Sequence, residues 1–356
     1  MSRILASVRL GLARTAYART ATLLLVLLLM IAALRSPSLF TTSGLGGALA
    51  GAAPLILAGM ALTPIAMVGR GDVNLAIGPL MGFVNVVLVQ FFINRGLNAP
   101  IKLIGVALAV GVLVQALLGL TSALLRIEPI IVALGGYLTL AGLNLVILPR
   151  PGGVAPPWLV AWGSGRSVFS PLLVLLVVGG LLWWAFTKTP LFANLRLTGA
   201  DERAAYVSGV PTSAMRVVAH AVGGFYAGLA GLCFTALIGS GDPNQGTTYT
   251  LLAVTALVLG GTSLAGGSGG MTGSVIAALD IFLISYVLAT FRLGSLAAYV
   301  NQFVYGLVLI LAMLTALLAH RRRSAAPAAA RWTSSEPASP VAPAAAAQPV
   351  VKEPLP

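Results

Sequence analysis

The stretch LIGVALAVGVLVQALLGLTSALL, residues 103–125, has no charged side chain and only three polar ones. A helix of about 20 apolar residues matches the roughly 30 Å hydrocarbon core of a bilayer, where only a helix satisfies its own backbone hydrogen bonds. Hydropathy predicts ten such segments, over residues 20–34, 46–68, 73–93, 101–125, 129–148, 168–187, 214–239, 248–266, 271–291 and 299–319. The predicted fold class is an all-α polytopic membrane protein with about ten transmembrane helices.

The composition agrees with a membrane location. Hydrophobic residues make up 58% of the 356 residues and charged residues only 8%, against about a quarter charged in a soluble domain. The mean hydropathy is +0.99. The net charge of +13 is concentrated in three short regions, not on a surface that could bind nucleic acid. The basic residues of these regions are Arg3, Arg9, Arg14 and Arg19, then Lys188, Arg196, Arg203 and Arg216, and finally Arg321, Arg322 and Arg323. We therefore expect a lipid bilayer around the chain and no nucleic-acid partner.

The three basic regions also predict the orientation of the chain, because Lys and Arg close to membrane spans are retained in the cytoplasm. Both termini and the loop after the sixth span are expected to be cytoplasmic, which six spans before that loop and four after it satisfy. The predicted domains are a cytoplasmic N-terminal tail over 1–19, a transmembrane domain over 20–319, and a disordered cytoplasmic tail over 324–356 that is rich in Ala and Pro.

Two internal echoes raise the question of a repeat. GRGDVN (69–74) recurs as GSGDPN (239–244), and GDVNLAIG (71–78) partly recurs as GGTSLAGG (260–267). In the predicted topology the first pair lies on opposite membrane faces, as an inverted repeat requires, and the second pair lies on one face. The two echoes cannot report the same symmetry, and short matches also arise by chance among 41 glycines. An inverted repeat and chance both stay open.

Several chemistries are excluded by residue type. A phosphate-binding P-loop needs Lys directly after Gly, but the three lysines follow Ile, Thr and Val. The single cysteine, Cys233, together with His220 and His320 does not supply the common zinc ligand sets, so neither a metal nor a cofactor is predicted. Ser268 lies in a GGSG stretch typical of some serine nucleophiles, but His320 stands beside three arginines and is a poor base for it. We do not expect an enzyme.

Asp280 is the only acidic residue well inside a predicted span. Charged groups in the bilayer are costly, and they mark ion pathways or hydrogen-bonded helix contacts. A proton- or sodium-coupled carrier would need such groups in pairs along its path. We therefore expect the energy for transport to come from elsewhere, with a proton-coupled carrier as the alternative.

The loop LFANLRLTGADERAAYVSGVPTSAMR, residues 191–216, contains a short predicted helix. Gly199 and Gly209 bracket a run of helix-forming residues, and Asp201 and Glu202 stand at its start, where the helix dipole favours acids. Such a helix is either a docking site for an energy-supplying partner or an ordinary surface connector.

A resemblance to a known family decides between these interpretations. GADERAAYVSGV (199–210) resembles the cytoplasmic segment G-x-N-E-x-A-A-R-L-S-G-I of the permeases of bacterial ABC importers for simple sugars. GDVNLAIG (71–78) resembles the family's G-G-I-D-L-S-V-G, and VLGGTSLAGGSG (258–269) resembles V-L-G-G-T-S-L-A-G-G-x-G. PIIVALG (129–135) and PNQGTTY (243–249) are similar to two further family segments, P-F-I-V-T-L-G and P-x-x-G-x-x-Y. All of these matches follow the family's order.

The resemblance covers about residues 45–315 and implies a permease of the ribose, xylose and galactose group in the bacterial inner membrane. The implied partners are an ATP-hydrolysing subunit, a second permease subunit, identical or different, and a periplasmic sugar-binding protein. The implied contact with the ATP-hydrolysing subunit consists of Gly199, Asp201, Glu202, Ala204, Ala205, Ser208 and Gly209. The implied glycine-rich loop contains Gly260, Gly261, Ser263, Gly266 and Gly267, whose small size would let neighbouring segments slide past each other.

Departures from the family pattern leave the substrate open. Asn74 and Ala76 stand where the family has Asp and Ser, Asp72 replaces a Gly, and Thr250 stands where a Glu is common. Importers of nucleosides, of an autoinducer or of branched-chain amino acids therefore remain alternatives to a monosaccharide importer. Because a neutral sugar needs hydrogen-bond partners more than charge, the predicted path residues are Asp72, Asn74, Asn144, Asn244, Gln245 and Asn301.

Overall fold

The computed structural model describes residues 19–69, 73–291 and 294–324. Every regular element within these ranges is a helix. The described residues up to Ala316 form one compact unit. The two predicted tails lie outside the described residues except for their end residues, Arg19 and Ser324, and Asp72 lies outside them as well.

The first half of the bundle contains α1 (Arg19–Arg35), α2 (Thr42–Met67), α3 (Ile77–Val87), α4 (Pro100–Leu125), α5 (Pro129–Ile147) and α6 (Pro157–Gly163). The second half contains α7 (Pro171–Phe186), α8 (Pro190–Ala200), α9 (Glu202–Val207), α10 (Thr212–Ile238), α11 (Thr248–Leu259), α12 (Met271–Ala289) and α13 (Ala297–Ser324). A π-helical turn and a 3-10 turn extend α3 as far as Arg95. A 3-10 turn, Gln245–Thr247, precedes α11.

The predicted all-α polytopic membrane fold is confirmed. Seven of the described helices are long and apolar enough to cross a membrane, or up to eight if α7 and α8, which are bent by 77°, form one span. The predicted number of ten is not confirmed. In the described part of the chain α1 has 17 residues, and α11 with its preceding turn is a shorter apolar helix.

The predicted span over 248–266 is wrong after Leu259. The helix ends at Leu259, and the chain turns through residues 260–270 before α12 begins. Three glycines of this stretch, Gly261, Gly266 and Gly267, have φ angles of 77°, 96° and 69°. These left-handed conformations suit glycine and interrupt a right-handed helix, although the hydropathy of the segment remains high.

The core of the bundle consists of α2, α3 and α10, and small residues allow its helices to pack closely. In each of these helices 72% of the apolar window is buried, against 28% in α4 and α5 and 6% in α13. A Cβ atom added to Gly111 of α4 would lie 2.3 Å from the Gly224 oxygen of α10, and one added to Gly228 would lie 2.3 Å from the Ala107 oxygen. Glycine is therefore required along this contact, as at close helix crossings in membranes.

The two copies of the first sequence echo stand at similar places in the order of the elements. GRGDVN follows the long core helix α2 and leads into α3, and GSGDPN follows the long core helix α10 and leads into the shorter α11. The end of α2 contacts Gly267, whose backbone nitrogen donates to the Met67 oxygen. The end of α10 contacts Ala155, whose backbone nitrogen donates to the Gly239 oxygen. The arrangement is the one that an inverted repeat predicts, and it supports that interpretation of the first echo.

Candidate functional site

The two chain interruptions, before α3 and before α11, meet inside the bundle. A Cβ atom on Gly78 would lie 2.2 Å from the Thr250 hydroxyl oxygen and 2.7 Å from the Gly246 carbonyl oxygen. The Thr250 hydroxyl donates to the Leu75 carbonyl oxygen at 3.3 Å. Non-helical backbone inside a membrane protein is tolerated where it is buried in protein or lines a cavity, and transporters place their substrate sites at such points.

Asn74 stabilises the first interruption through its hydrogen bonds. This side chain is fully buried, its oxygen accepts from the Ala76 backbone nitrogen at 2.9 Å, and its nitrogen donates to Gln115 Oε1 at 2.7 Å. The same Gln115 oxygen lies 3.2 Å from His220 Nδ1, and Gln115 Nε2 has no hydrogen-bond partner among the described residues. Asn74 therefore ties the start of α3 to α4 and α10, and its amide supplies the donor that an aspartate would lack.

Asp242 and Asn85 shape the second interruption. One Asp242 carboxylate oxygen accepts from the backbone nitrogens of Asn244 at 2.8 Å and Gln245 at 3.1 Å, which caps the turn that precedes α11. Asn85 of α3 accepts from the Asp242 backbone nitrogen at 2.8 Å and donates to the Ser240 carbonyl oxygen at 2.9 Å. Sequence reasoning missed both residues, although an Asn side chain inside the apolar run over 73–93 was an available signal for Asn85.

Four of the six predicted path residues lie at or beside the two interruptions. Asn144 is fully buried and donates to the Pro79 carbonyl oxygen at 3.1 Å, with its own side-chain oxygen unpartnered among the described residues. Asn244 and Gln245 are exposed at the second interruption. Asn301 lies on α13 and shares no described hydrogen bond with the others. Asn74 and Asn144 thus hold the interruptions in place, and Asn244 and Gln245 present side chains at the surface.

The segment from α8 to the start of α10 forms a compact surface feature at the same end of the bundle as Met67. The Asp201 carboxylate accepts from the Ala204 backbone nitrogen at 3.0 Å and caps α9. Ser208 donates to the Ala204 carbonyl oxygen at 2.8 Å, and Gly209 ends the helix with a φ of 83°. The predicted short helix is therefore present, with its cap and its terminating glycine.

The two faces of α9 differ sharply. Ala205 is 5% exposed and packs inward, whereas Tyr206 and Val207 are 72% and 86% exposed. The Glu202 carboxylate pairs with the Arg216 guanidinium at 2.9 Å, which ties α9 to the first turns of α10. Among the residues predicted for partner contact, Ala205 and Glu202 therefore face or bind the chain itself. Four other residues predicted for that contact, Asp201, Ala204, Ser208 and Gly209, are exposed, and Tyr206 and Val207 are the large apolar side chains of the exposed face.

A backbone contact joins the two motifs with the strongest resemblance. The Gly267 nitrogen donates to the Met67 oxygen at 3.0 Å. A Cβ atom on Gly199 would lie 1.9 Å from that Met67 oxygen, and one on Gly266 would lie 2.3 Å from the Gly69 Cα atom. The glycine-rich loop, the end of α2 and the end of α8 therefore touch backbone to backbone. Only glycine fits at these positions.

The remaining glycine-rich positions build the loop itself. A Cβ atom on Gly260 would lie 2.4 Å from the Gly273 carbonyl carbon, so this glycine allows the start of α12 to approach. Gly261 turns the chain with its left-handed φ, and the Ser263 hydroxyl accepts from the Ala265 nitrogen at 3.2 Å. Within the described residues no group of three or more His, Cys, Asp or Glu side chains could hold a metal ion.

A bundle of membrane-spanning helices whose central spans are interrupted twice, and whose interruptions meet in the interior, is typical of transport permeases. The family described as the permease component of branched-chain amino acid transport systems matches residues 44–313. The chain belongs to this family, and the resemblance read from its motifs is confirmed.

Individual relatives agree with this assignment. The ribose import permease RbsC of Escherichia coli K12 is 28% identical over 298 residues, which covers 82% of this chain and 90% of the relative. The ribose import permease of Haemophilus influenzae is 24% identical with the same two coverages. The autoinducer 2 import permease LsrC of Escherichia coli SMS-3-5 is 32% identical over 72% of this chain and 74% of the relative. No solved structure matches the chain.

Proposed function

We propose that the chain is a permease subunit of an ATP-binding-cassette importer that moves a monosaccharide inward across the bacterial inner membrane. The observation that carries the proposal is the set of amide and hydroxyl groups that the described residues contribute where the two interruptions meet. The names of the two ribose import permeases, which align with 82% of the chain, support the same substrate class.

The polar groups at the interruptions suit an uncharged, polyhydroxylated ligand. Asn244 and Gln245 supply exposed amides, Asn74, Asn144 and Thr250 hold the interruptions with neutral hydrogen bonds, and the Asp242 carboxylate accepts from backbone nitrogens. A carboxylate or ammonium substrate would need an opposite charge inside the membrane, because an unpaired charge there is expensive. A sugar needs only hydrogen bonds, which neutral groups provide.

An exposed face beside the interruptions is the proposed lining of the path. Asn244, Gln245, Thr248 and Leu251 are exposed along one side of the turn and of α11. A path needs a second wall opposite this face. A second permease subunit, identical or different, would supply that wall, and a periplasmic binding protein would deliver the sugar to the outer end.

Coupling to ATP is proposed to run through α9. An ATP-hydrolysing subunit would dock on the exposed Tyr206 and Val207, and its movement would reach α2 through the backbone contact of Gly199 with Met67. The chain that follows Met67 leads into the interruption at Asn74. A shift at the docking surface can therefore bias the substrate site between two states, because both belong to one contiguous backbone.

Transport by the assembled complex tests the proposal. Liposomes that contain this permease, its second subunit, the ATP-hydrolysing subunit and the binding protein should take up labelled ribose or a related pentose or hexose only when ATP is present. The permease alone should show no flux with or without a pH gradient. ATP-independent flux driven by a pH gradient would instead establish the proton-coupled carrier.

Autoinducer 2 is the second candidate substrate, because the LsrC relative is 32% identical to this chain. Competition separates the candidates: excess autoinducer 2 should leave sugar uptake unchanged under the main proposal. If autoinducer 2 is itself imported and the sugars are not, the substrate assignment fails while the ATP dependence stands.

A further inference from the structure

A cavity of about 340 Å³ lies in the elbow between α7 and α8, away from the interruptions. Trp183, Trp184 and Phe192 form its aromatic wall, and Arg196 lines it as well. The rest of the lining consists of Gly180, Thr187, Gly260 and the stretch Gly269–Gly273. None of the predicted path residues contributes to it, so the proposed sugar path leaves this cavity unexplained.

The position of the cavity corresponds to a membrane–water interface. The two helices are bent by 77° at a short break, so that a crossing α7 places α8 nearly along the membrane surface. Two tryptophans stand in the last turn of α7, and tryptophan is enriched at the headgroup level. Trp184 and Leu181 are 62% and 58% exposed on the lipid-facing side of α7. Gly180 lies at the mouth, where an added Cβ atom would meet nothing within 4 Å.

One cation lines the cavity, and a second stands beside its aromatic wall. The Arg196 guanidinium lines it, with only its Nε atom engaged by the Gly267 carbonyl oxygen at 3.5 Å. The Lys188 ammonium stands 5.5 Å from the ring centroid of Trp184. Neither cation forms an ion pair with a carboxylate in the part of the chain that the structure describes. A negatively charged group would complement both.

We propose that this cavity is a binding site for an anionic phospholipid of the surrounding bilayer. Its phosphate and anionic headgroup would lie between Arg196 and Lys188, and its glycerol and upper acyl chains would pack on Trp184 and the exposed face of α7. A zwitterionic lipid carries its own cation beside the phosphate and gains less from the two basic residues. An acyl chain explains why the mouth opens onto the lipid-facing side, which a soluble anion would not require.

Occupancy of the site would bear on coupling. The lining includes Gly260 and the stretch Gly269–Gly273, and Arg196 touches the Gly267 oxygen. The lipid would therefore rest on the same glycine-rich loop that contacts Met67 and Gly199. Its binding does not depend on which solute the permease carries.

Tryptophan quenching by brominated lipids tests the proposal in the full-length chain. Vesicles of phosphatidylglycerol and phosphatidylcholine are prepared with bromine on the acyl chains of one lipid at a time. The signal of Trp184 is taken as the difference between the unaltered chain and Trp184→Phe. Half-maximal quenching should require an about tenfold smaller mole fraction of brominated phosphatidylglycerol than of brominated phosphatidylcholine, because each nearby Lys or Arg strengthens anionic lipid binding.

Two variants locate the effect. Lys188→Gln with Arg196→Gln should remove the preference, and so should Gly180→Leu, which fills the mouth and leaves both charges in place. The matched controls are Arg150→Gln with Arg166→Gln, which removes two exposed charges elsewhere, and Gly142→Leu at another open helical glycine. Both controls should keep the preference. Protection of the buried Cys233 thiol from a maleimide dye verifies that each variant is folded.

Equal quenching by the two brominated lipids in the unaltered chain would overturn the proposal. A preference for phosphatidylglycerol that survives either the charge variant or Gly180→Leu would also overturn the proposal, because the lipid would then bind outside this cavity. Loss of the preference in the control pair would assign the effect to net charge and would also reject the site.

Discussion

At the scale of single residues, Asn74 is the polar side chain on which the first interruption depends. Its replacement by alanine leaves the buried Ala76 nitrogen without its 2.9 Å acceptor and removes the donor to Gln115. Buried groups that lose a partner cost about 1–3 kcal/mol. We predict that Asn74→Ala lowers the midpoint of thermal unfolding, followed in detergent by the reaction of a fluorogenic maleimide with Cys233, the only cysteine of the chain.

The matched control for this prediction is Asn94→Ala. Asn94 is exposed, and its amide contacts only Gln90 at 3.1 Å. The control should leave the unfolding midpoint nearly unchanged, because exposed substitutions usually change stability by less than about 0.5 kcal/mol. Equal midpoints for the two variants would show that the buried network contributes nothing measurable.

Glu202 and Arg216 give a second residue-scale prediction. Their 2.9 Å ion pair is largely buried on the arginine side, so Glu202→Gln removes a charge-assisted hydrogen bond of about 1.5–3 kcal/mol and loosens α9 from α10. We expect ATP-driven uptake to fall several-fold in Glu202→Gln and to recover substantially in the exchanged pair Glu202→Arg with Arg216→Glu. Glu128→Gln, at an exposed acid, should leave uptake unchanged.

The exchange separates two roles for Glu202. A residue that positions α9 from within the permease can be replaced by the reversed pair. A residue that contacts the ATP-hydrolysing subunit directly cannot, because the partner would meet the wrong charge. Uptake that stays low in the exchanged pair would therefore assign Glu202 to the partner interface.

The types of residue at the site could be predicted from the sequence, but the orientation of their side chains could not. Asn74 and Asn144 were predicted to line the path because amides suit sugars, and that role stays a prediction. The structure shows both fully buried and hydrogen-bonded within the chain, Asn74 to Ala76 and Gln115, and Asn144 to Pro79. Ala205 was predicted to contact a partner, and it is 5% exposed. The direction of a side chain depends on packing against residues that are far away in sequence, such as Gln115 and Pro79, and no local pattern contains that information.

At the scale of elements, α9 presents its docking surface through Tyr206 and Val207. We predict that Val207→Asp abolishes most ATP-driven uptake without exposing Cys233, because a charge on a surface that becomes buried in a complex costs binding free energy. Ala205→Trp should instead destabilise the permease itself, since a bulky ring cannot fit a buried position. The two variants are compared by ATP-driven uptake and by the protection of Cys233 from a maleimide. An Ala205→Trp variant that is stable but inactive would indicate that Ala205 contacts the ATP-hydrolysing subunit.

The contact of α8 with the end of α2 gives a second element-scale prediction. Gly199→Ala would place a Cβ atom 1.9 Å from the Met67 oxygen, and backbone cannot yield as a flexible side chain can. Overpacking of this kind costs about 1–3 kcal/mol of stability. The clash lies in the contact that is proposed to couple ATP hydrolysis to substrate movement. We expect ATP hydrolysis to continue while uptake is lost. Gly142→Ala, at a helical glycine with nothing within 4 Å, should preserve the coupling of the two activities.

The elements themselves were largely predictable because long apolar runs leave helix as the only choice in a bilayer. The exception was the segment over 248–266, where Leu259 ends the helix although hydropathy stays high. The helix ends there because Gly261, Gly266 and Gly267 adopt left-handed φ angles. Glycine permits these angles without requiring them, so only their contacts with Met67, Gly69 and the end of α8 explain why the chain turns there.

At the scale of the whole molecule, the two interruptions enter the core from opposite ends, and this geometry requires α2 and α10 to cross the membrane in opposite directions. The end of α2 lies beside the α8–α9 segment, and the end of α10 lies beside residues that follow α5. The positive charges of the α7–α10 region predict that the α9 end is cytoplasmic. Both statements together predict that the end of α2 is cytoplasmic and that the end of α10 faces the periplasm.

Single cysteines test this assignment in a Cys233→Ser background. Ser208→Cys, at the exposed end of α9, and Asn98→Cys, in the exposed turn before α4, lie at opposite ends of the bundle. We expect a membrane-impermeant maleimide to label Asn98→Cys in intact spheroplasts and Ser208→Cys only after the membrane is opened, because loops rich in Lys and Arg stay inside. Labelling of both from one side would break the antiparallel relation of α2 and α10, and with it the inverted repeat. The reversed pattern would keep the repeat but place Tyr206 and Val207 outside, beyond the reach of any ATP-hydrolysing partner, so that coupling through α9 would have to be abandoned.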